Sequence, residues 1–138
     1  MGVKSICNYK GADILLSGAN QLGSGHEAYI NAQFTASTTP IKFCVWHSQM
    51  AKLNTGGKGD ETGYAIYEAC KKFGTIVVNG HEHSYARSYL MNNAGTQTVA
   101  NKAEPAILIP GLVMVILQGN SGAGLDAALM IGARRMDL

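Results

Sequence analysis

The chain has 138 residues, of which 46% are hydrophobic and 14% are charged, and its formal net charge is +2. This length and composition predict a single domain with a buried core over residues 1–138 and exclude a disordered tail. Because the net charge is small and Lys and Arg form no basic stripe, we do not expect nucleic-acid binding.

The apolar segments do not indicate a membrane protein. The first residues, MGVKSICNYKG, contain no long apolar stretch, so no signal peptide is expected in this sequence. Residues 106–117 form the most apolar run, which is interrupted by Pro110 and Gly111. This run is shorter than the roughly 20 residues that span a bilayer, so it predicts core strands.

The first half of the chain predicts a strand, a helix and a second strand. The short apolar run at residues 13–17 predicts the first strand. Ser24 is a suitable N-cap for a helix over residues 25–36. Residues 41–46, IKFCVW, are rich in β-branched and aromatic side chains and predict a strand that ends at His47.

The second half begins with a long polar loop at residues 48–61, and its glycines are typical of a functional loop. A helical pattern starts at Thr62, and Gly74 is its expected stop. Residues 75–78 and 112–117 predict two further buried strands. This alternation of strands and helices is typical of an α/β sandwich.

The three cysteines, Cys7, Cys44 and Cys70, show no CxxC spacing. An odd number of cysteines argues against a complete disulfide framework. Cys44 lies in an apolar strand-like run and Cys70 in a helix-like one, so we expect these two residues to be small buried hydrophobic side chains.

Three of the 4 histidines follow predicted strands. His81 and His83 lie two residues apart, and in an extended segment they would point to the same side. His47 ends another strand, and the carboxyl ends of parallel strands meet at one edge of a sheet. Neutral imidazoles there suit a divalent transition metal, although a surface or hydrogen-bonded His pair is the simpler alternative.

Several segments resemble the calcineurin-like metallophosphoesterases, in particular the branch that includes purple acid phosphatase-like enzymes. These segments are WHS at residues 46–48, GDETGYAIYEACKKFG at 59–74, NGHEHSYARSY at 79–89 and GNSGAGL at 119–125. The resemblance covers residues 41–125 and includes a strand-end His followed by a GHxH motif.

The resemblance implies part of a four-layer α/β sandwich, a mixed sheet with flanking helices, that hydrolyses phosphate mono- or diesters. It implies two divalent metals, with Fe, Zn and Mn not distinguished. His47 and His81 would bind one metal, and His83 the other. Arg87 would either neutralise phosphate or, as we prefer, pair with a carboxylate. No catalytic residue is assigned.

The chain departs from the family pattern in its early motifs. D-x-H, GD-x-x-[DY] and GN-H-[DE], which supply the bridging carboxylate and further ligands, are not found. Asp60 follows His47 and so has the wrong order, and His26 in SGHE is interpreted as part of a helix. Ser48 and Ala86 also differ from residues that are common in relatives. The resemblance therefore extends only to the C-terminal half of the domain, without the N-terminal metal-binding half.

Three functions remain open at this point. The first is a phosphoesterase whose remaining ligands lie on another segment. The second is a non-catalytic structural or self-assembling module that keeps the fold, with copies of the chain as its partners in a homo-oligomer. The third is a mononuclear zinc protein that uses His47, His81 and His83. Relatives of this family are often secreted or periplasmic.

Overall fold

The computed structural model describes residues 3–102, 109–118 and 134–135. These residues form a mixed β-sheet with two helices, which confirms the α/β class. The strands are β1 Lys4–Tyr9, β2 Ala12–Ser17, β3 Ile41–Trp46, β4 Thr75–Asn79, β5 Tyr85–Arg87, β6 Leu90–Asn93, β7 Thr98–Asn101, β8 Val113–Gln118 and β9 Arg134–Arg135. The helices are α1 His26–Ala36 and α2 Ala65–Lys71, and a short 3-10 turn covers Ala51–Leu53.

Four parallel strands form the centre of the sheet in the order β2-β3-β4-β8. β1 pairs antiparallel with β2 through a tight turn in which Lys10 and Gly11 both have positive φ. Two consecutive left-handed residues match the twist of a two-residue hairpin. On the other side, β5 runs antiparallel to β8, and β9 continues the sheet beyond β5.

The predicted central strands and both helices are confirmed, with differences at the helix starts. The N-cap of α1 is Gly25, in a left-handed conformation and without a side-chain cap bond, so Ser24 does not cap this helix. α2 begins three residues later than Thr62, because Gly63 has a φ of 75° that a right-handed helix cannot include. Gly74, with a φ of 64°, follows α2 as expected.

The two helices cover one face of the sheet. Neighbouring strands align a row of apolar side chains on this face, and every member of the row has 0% exposure. The row consists of Leu15, Cys44, Val77 and Val115. Ile30 and Phe34 of α1 and Ile66 and Tyr67 of α2 belong to the same buried cluster. We call this side the covered face.

The opposite side, which we call the open face, is also apolar. Its two rows alternate with the covered row in register. They consist of Ile14, Phe43, Ile76 and Met114, and of Leu16, Val45, Val78 and Ile116. Most of these side chains are partly exposed, and Leu16 is 46% exposed. Continuous apolar runs are typical of strands that are buried on both faces, yet both described helices pack on the covered face.

The cysteines differ from the expectation. Cys44 on β3 and Cys70 on α2 are buried as predicted, but they form a disulfide with Cα atoms 6.7 Å apart. The interpretation of Cys44 and Cys70 as free thiols is wrong because α2 packs directly across β3, a contact between residues 26 apart in sequence. Cys7 is free and exposed on the edge strand β1.

The described helices include none that is both long and apolar enough to cross a membrane. Residues 106–108 of the most apolar segment lie outside the described residues, as does the glycine-rich segment 119–125. The second part of that apolar segment forms β8 at the centre of the sheet, as predicted.

Candidate functional site

The ends of β3 and β4 bring two of the predicted ligands together. Trp46 and Asn79 are register partners in this parallel pair, so the residues that follow them emerge side by side. The backbone N–H of Gly80 donates to the carbonyl of His47 over 3.0 Å. This bond extends the pairing by one step beyond the strands and places His47 next to His81.

The imidazole rings of His47 and His81 are in direct contact. Nε2 of His47 lies 2.9 Å from Nδ1 of His81, and the ring centroids are 4.7 Å apart in an edge-to-face arrangement. The other nitrogen of His81, Nε2, lies 3.0 Å from Oε1 of Glu61. When Glu61 accepts the Nε2–H of neutral His81, Nδ1 of His81 becomes the acceptor for His47. The three side chains thus form one continuous hydrogen-bonded chain.

A cation from the glycine-rich loop joins this group. The ammonium of Lys58 lies 3.4 Å from Nδ1 and 3.3 Å from Nε2 of His81. The backbone N–H of Lys58 donates to Oε2 of Glu82 over 3.0 Å. Gly56 allows this approach, because a Cβ there would lie 1.9 Å from Cδ of Glu82. The loop at residues 48–61 therefore folds against the GHEH segment.

His83 does not join His47 and His81. His81 has a φ of 69°, and the N–H of Glu82 donates to the carbonyl of Gly80 over 2.9 Å. The segment turns at His81, so the expectation that an extended backbone would point His81 and His83 to the same side is wrong. His83 is exposed. Within residues 3–102, 109–118 and 134–135, no three His, Cys, Asp or Glu side chains are grouped to hold a metal ion.

The other two candidate residues, Arg87 and His26, lie apart from this pair, on β5 and at the start of α1. Arg87 is a partly buried residue of β5 and pairs in register with Ile116 of β8. His26 is buried at the start of α1, where its Nδ1 lies 2.9 Å from Oγ of Ser17. His26 therefore belongs to a separate pair that connects α1 to the end of β2.

A depression of about 380 Å³ opens at the carboxyl ends of the central strands. Its walls come from the last residues of β2, β3 and β4 and the residues just after β3 and β4. They are Leu16, Ser17, Val45, Trp46, His47, Val78, Asn79 and Gly80. A space of this size accepts a small ligand group, and its position is the usual one for ligands of open α/β sheets.

Glu61 is not among the site residues predicted from the sequence. In the structure it precedes α2 by four residues and turns toward His81. The N–H of Glu61 donates to the carbonyl of Gln49 over 3.1 Å, which closes the loop at its base. In the sequence, Asp60 and Glu61 form an acidic pair in a glycine-rich loop. This pattern alone does not indicate a contact with the GHEH segment.

Comparison with known proteins adds no relative. No protein-family model matches the chain, and no curated protein or solved structure matches it. Any functional proposal therefore depends on the residues and contacts described above.

Proposed function

We propose that this chain carries part of the metal centre of a phosphoesterase that hydrolyses phosphate mono- or diesters. The observation that carries the proposal is the contact of His47 with His81 at two neighbouring strand ends, with Glu61 on the second imidazole. The resemblance of the WHS and GHEHSYAR segments to metallophosphoesterases supports the same chemistry.

The two imidazoles are the donors from which a site for one divalent ion would be built. Imidazole nitrogens are ligands that suit zinc, iron or manganese. The nitrogens of His47 and His81 lie 2.9 Å apart in a direct hydrogen bond. An ion bound to both would replace this bond and move the two rings slightly apart. Oε2 of Glu61 is buried and has no hydrogen-bond partner among the described residues, so it is an acceptor in need of a donor or a cation. His83 lies outside this group.

The residues at this site would have three roles: binding the ion, orienting a ligand and binding phosphate. His47 and His81 would hold the ion, and Glu61 would orient the ring of His81, as outer carboxylates commonly do for ligating histidines. The ammonium of Lys58 would add positive charge for a phosphate group, and Arg87 remains a further candidate for that role. A bound divalent metal supplies a hydroxide nucleophile near neutral pH and neutralises charge on the phosphate.

A dinuclear centre needs more than this chain assembles. Two nearby cations repel, and anionic ligands normally offset that repulsion. We propose that His83 and carboxylates from another segment or chain complete the second metal position. The open face supports this proposal, since a second sheet packed there would produce the sandwich that the family resemblance implies.

A second candidate is a non-catalytic, self-assembling module, and the open face is the specific observation that favours it. Monomeric proteins rarely expose a contiguous apolar patch of several strands. If copies of the chain associate through this face, the histidines need not bind a metal at all. Association without metal binding is the result that distinguishes this candidate from the phosphoesterase.

The test is metal binding and hydrolysis by the full chain. We expect about one Zn²⁺ or Mn²⁺ per chain by elemental analysis, and loss of binding in His81→Ala by at least the roughly 100-fold known for outer-shell changes. His83→Ala is the matched control, since it removes the same side chain two positions away, and it should retain this ion. A chromogenic phosphate ester should be hydrolysed when the segment or chain that carries the remaining metal ligands is added. A wild-type chain that binds no metal contradicts the proposal.

A further inference from the structure

Two buried polar side chains lie beneath the histidine pair and belong to no proposed ligand set. Asn79 is the last residue of β4 and is 2% exposed, and Tyr67 of α2 is 0% exposed. Polar groups at such positions need hydrogen-bond partners, because a buried donor or acceptor that makes no bond has lost its contact with water without replacement. The partners of these two residues converge on the backbone around His47.

Asn79 holds the carbonyl groups on both sides of His47. Its Nδ2 donates to the carbonyl of Ser48 over 3.2 Å and lies 3.4 Å from the carbonyl of Trp46. The carbonyl of His47 itself accepts from the N–H of Gly80 over 3.0 Å. Three consecutive carbonyls at the end of β3 are thus bound by two consecutive residues at the end of β4.

The two carbonyls and Tyr67 together fix which way the Asn79 amide faces. Because the carbonyls only accept, the NH₂ group faces them, and the hydroxyl of Tyr67 donates to Oδ1 of Asn79 over 3.0 Å. Burial raises the pKa of Tyr67 well above its usual value, which keeps this hydroxyl protonated and able to donate. The amide therefore has one orientation in which all of its described bonds are made.

We propose that Asn79, oriented by Tyr67, is the positioning residue that sets His47 against His81. The ring of His47 is exposed, so packing contributes little to its placement and the backbone on either side of it must do so. This positioning role deepens the proposed function. It rests on that function only in so far as the two imidazoles bind an ion. The contact between the rings can be measured without any metal.

Tyr67→Phe is the sharpest test because it removes one hydroxyl and keeps the ring that packs against Trp46. In the metal-free full chain, we expect the nuclear Overhauser contact between the His47 and His81 rings to disappear. In a titration with Zn²⁺ alone, we expect affinity to fall about 10- to 100-fold, as for other outer-shell changes. Both effects should occur while the circular dichroism of the chain is unchanged.

Thr75→Val, on the same strand as Asn79, is the matched control. Thr75 is fully buried and its hydroxyl has no hydrogen-bond partner among the described residues, but it lies at the opposite end of β4. This variant should keep both the ring contact and the Zn²⁺ affinity of the wild type. A general effect of removing a hydroxyl from the buried core would instead appear in both Tyr67→Phe and Thr75→Val.

Asn79→Asp provides a second variant of nearly the same shape, which decides the question if Tyr67→Phe does not fold. It replaces the NH₂ donor with an oxygen that faces two carbonyls, so the ring contact should again be lost. If Tyr67→Phe or Asn79→Asp folds and keeps both the ring contact and the affinity, the positioning role is overturned. If the wild type binds no Zn²⁺, the proposed function fails while the ring contact still decides the role of Asn79.

Discussion

The two faces of the central sheet have similar amino acids and opposite environments. Leu15 and Val77 on the covered face are fully buried, whereas their chain neighbours Leu16 and Val78 point to the open face and are partly exposed. Both rows are apolar, so hydrophobicity alone does not tell which side the helices cover. The central strands are therefore apolar on both faces, although the described helices pack against only one of them.

The largest effect is expected from a pair of neighbouring substitutions, Leu15→Ala and Leu16→Ala. Leu15→Ala should lower the free energy of unfolding by about 2–5 kcal/mol, because it leaves a cavity under the helices. Leu16→Ala should cost less than about 1 kcal/mol, since its side chain is already 46% exposed. Urea unfolding followed by the fluorescence of Trp46 measures both. Equal costs would mean that the open face is buried in solution.

An intermediate effect is expected from the disulfide on the covered face. Replacing Cys44 and Cys70 together by Ala should lower the free energy of unfolding by about 3 kcal/mol, because the unfolded chain regains the freedom of a closed loop. The matched control is Cys7→Ser on the exposed edge strand, which should leave unfolding unchanged. Chemical denaturation with and without a reducing agent is the measurement, and insensitivity of the wild type to reduction would argue against this bond.

The smallest effect on unfolding, and the largest on association, is expected from a charge on the open face. Ile76→Lys should change the free energy of unfolding by less than about 1 kcal/mol, since the ammonium can reach water. The same charge should reduce self-association measured by light scattering. Val77→Lys, one residue along on the covered face, should prevent folding. Unchanged scattering in Ile76→Lys would place any association elsewhere.

The parts that could be predicted from sequence are those with local signals. β3 and β4 are runs of β-branched and aromatic residues, and the contact of His47 with His81 follows from two such strands ending at one edge. The disulfide and the approach of Glu61 depend on packing between residues distant in sequence. The left-handed backbone at His81 was hidden because a non-glycine residue rarely adopts it.

Three strands, β1, β5 and β7, were not predicted from the sequence, for a different reason. β1 and β7 have mixed polar and apolar residues with no clear alternation, and β5 has only 3 residues. Their strand conformation comes from pairing with neighbouring strands, not from their own propensity. β1 pairs with the central strand β2, β5 with the central strand β8, and β7 with β6. Short sequences of this kind carry little information until their neighbours in the sheet are known.

The two adjacent glycines of the loop offer different opportunities for labelling. A side chain at Gly56 must displace Glu82, whereas a Cβ at Gly57 meets no atom within 4 Å. A cysteine introduced at Gly57, in a chain whose Cys7 is replaced, can therefore carry a spin label or a fluorophore without disturbing the neighbour of His81. Such a label would report the motion of the loop at residues 48–61. A label at Gly56, which must displace Glu82, would serve as the perturbed comparison.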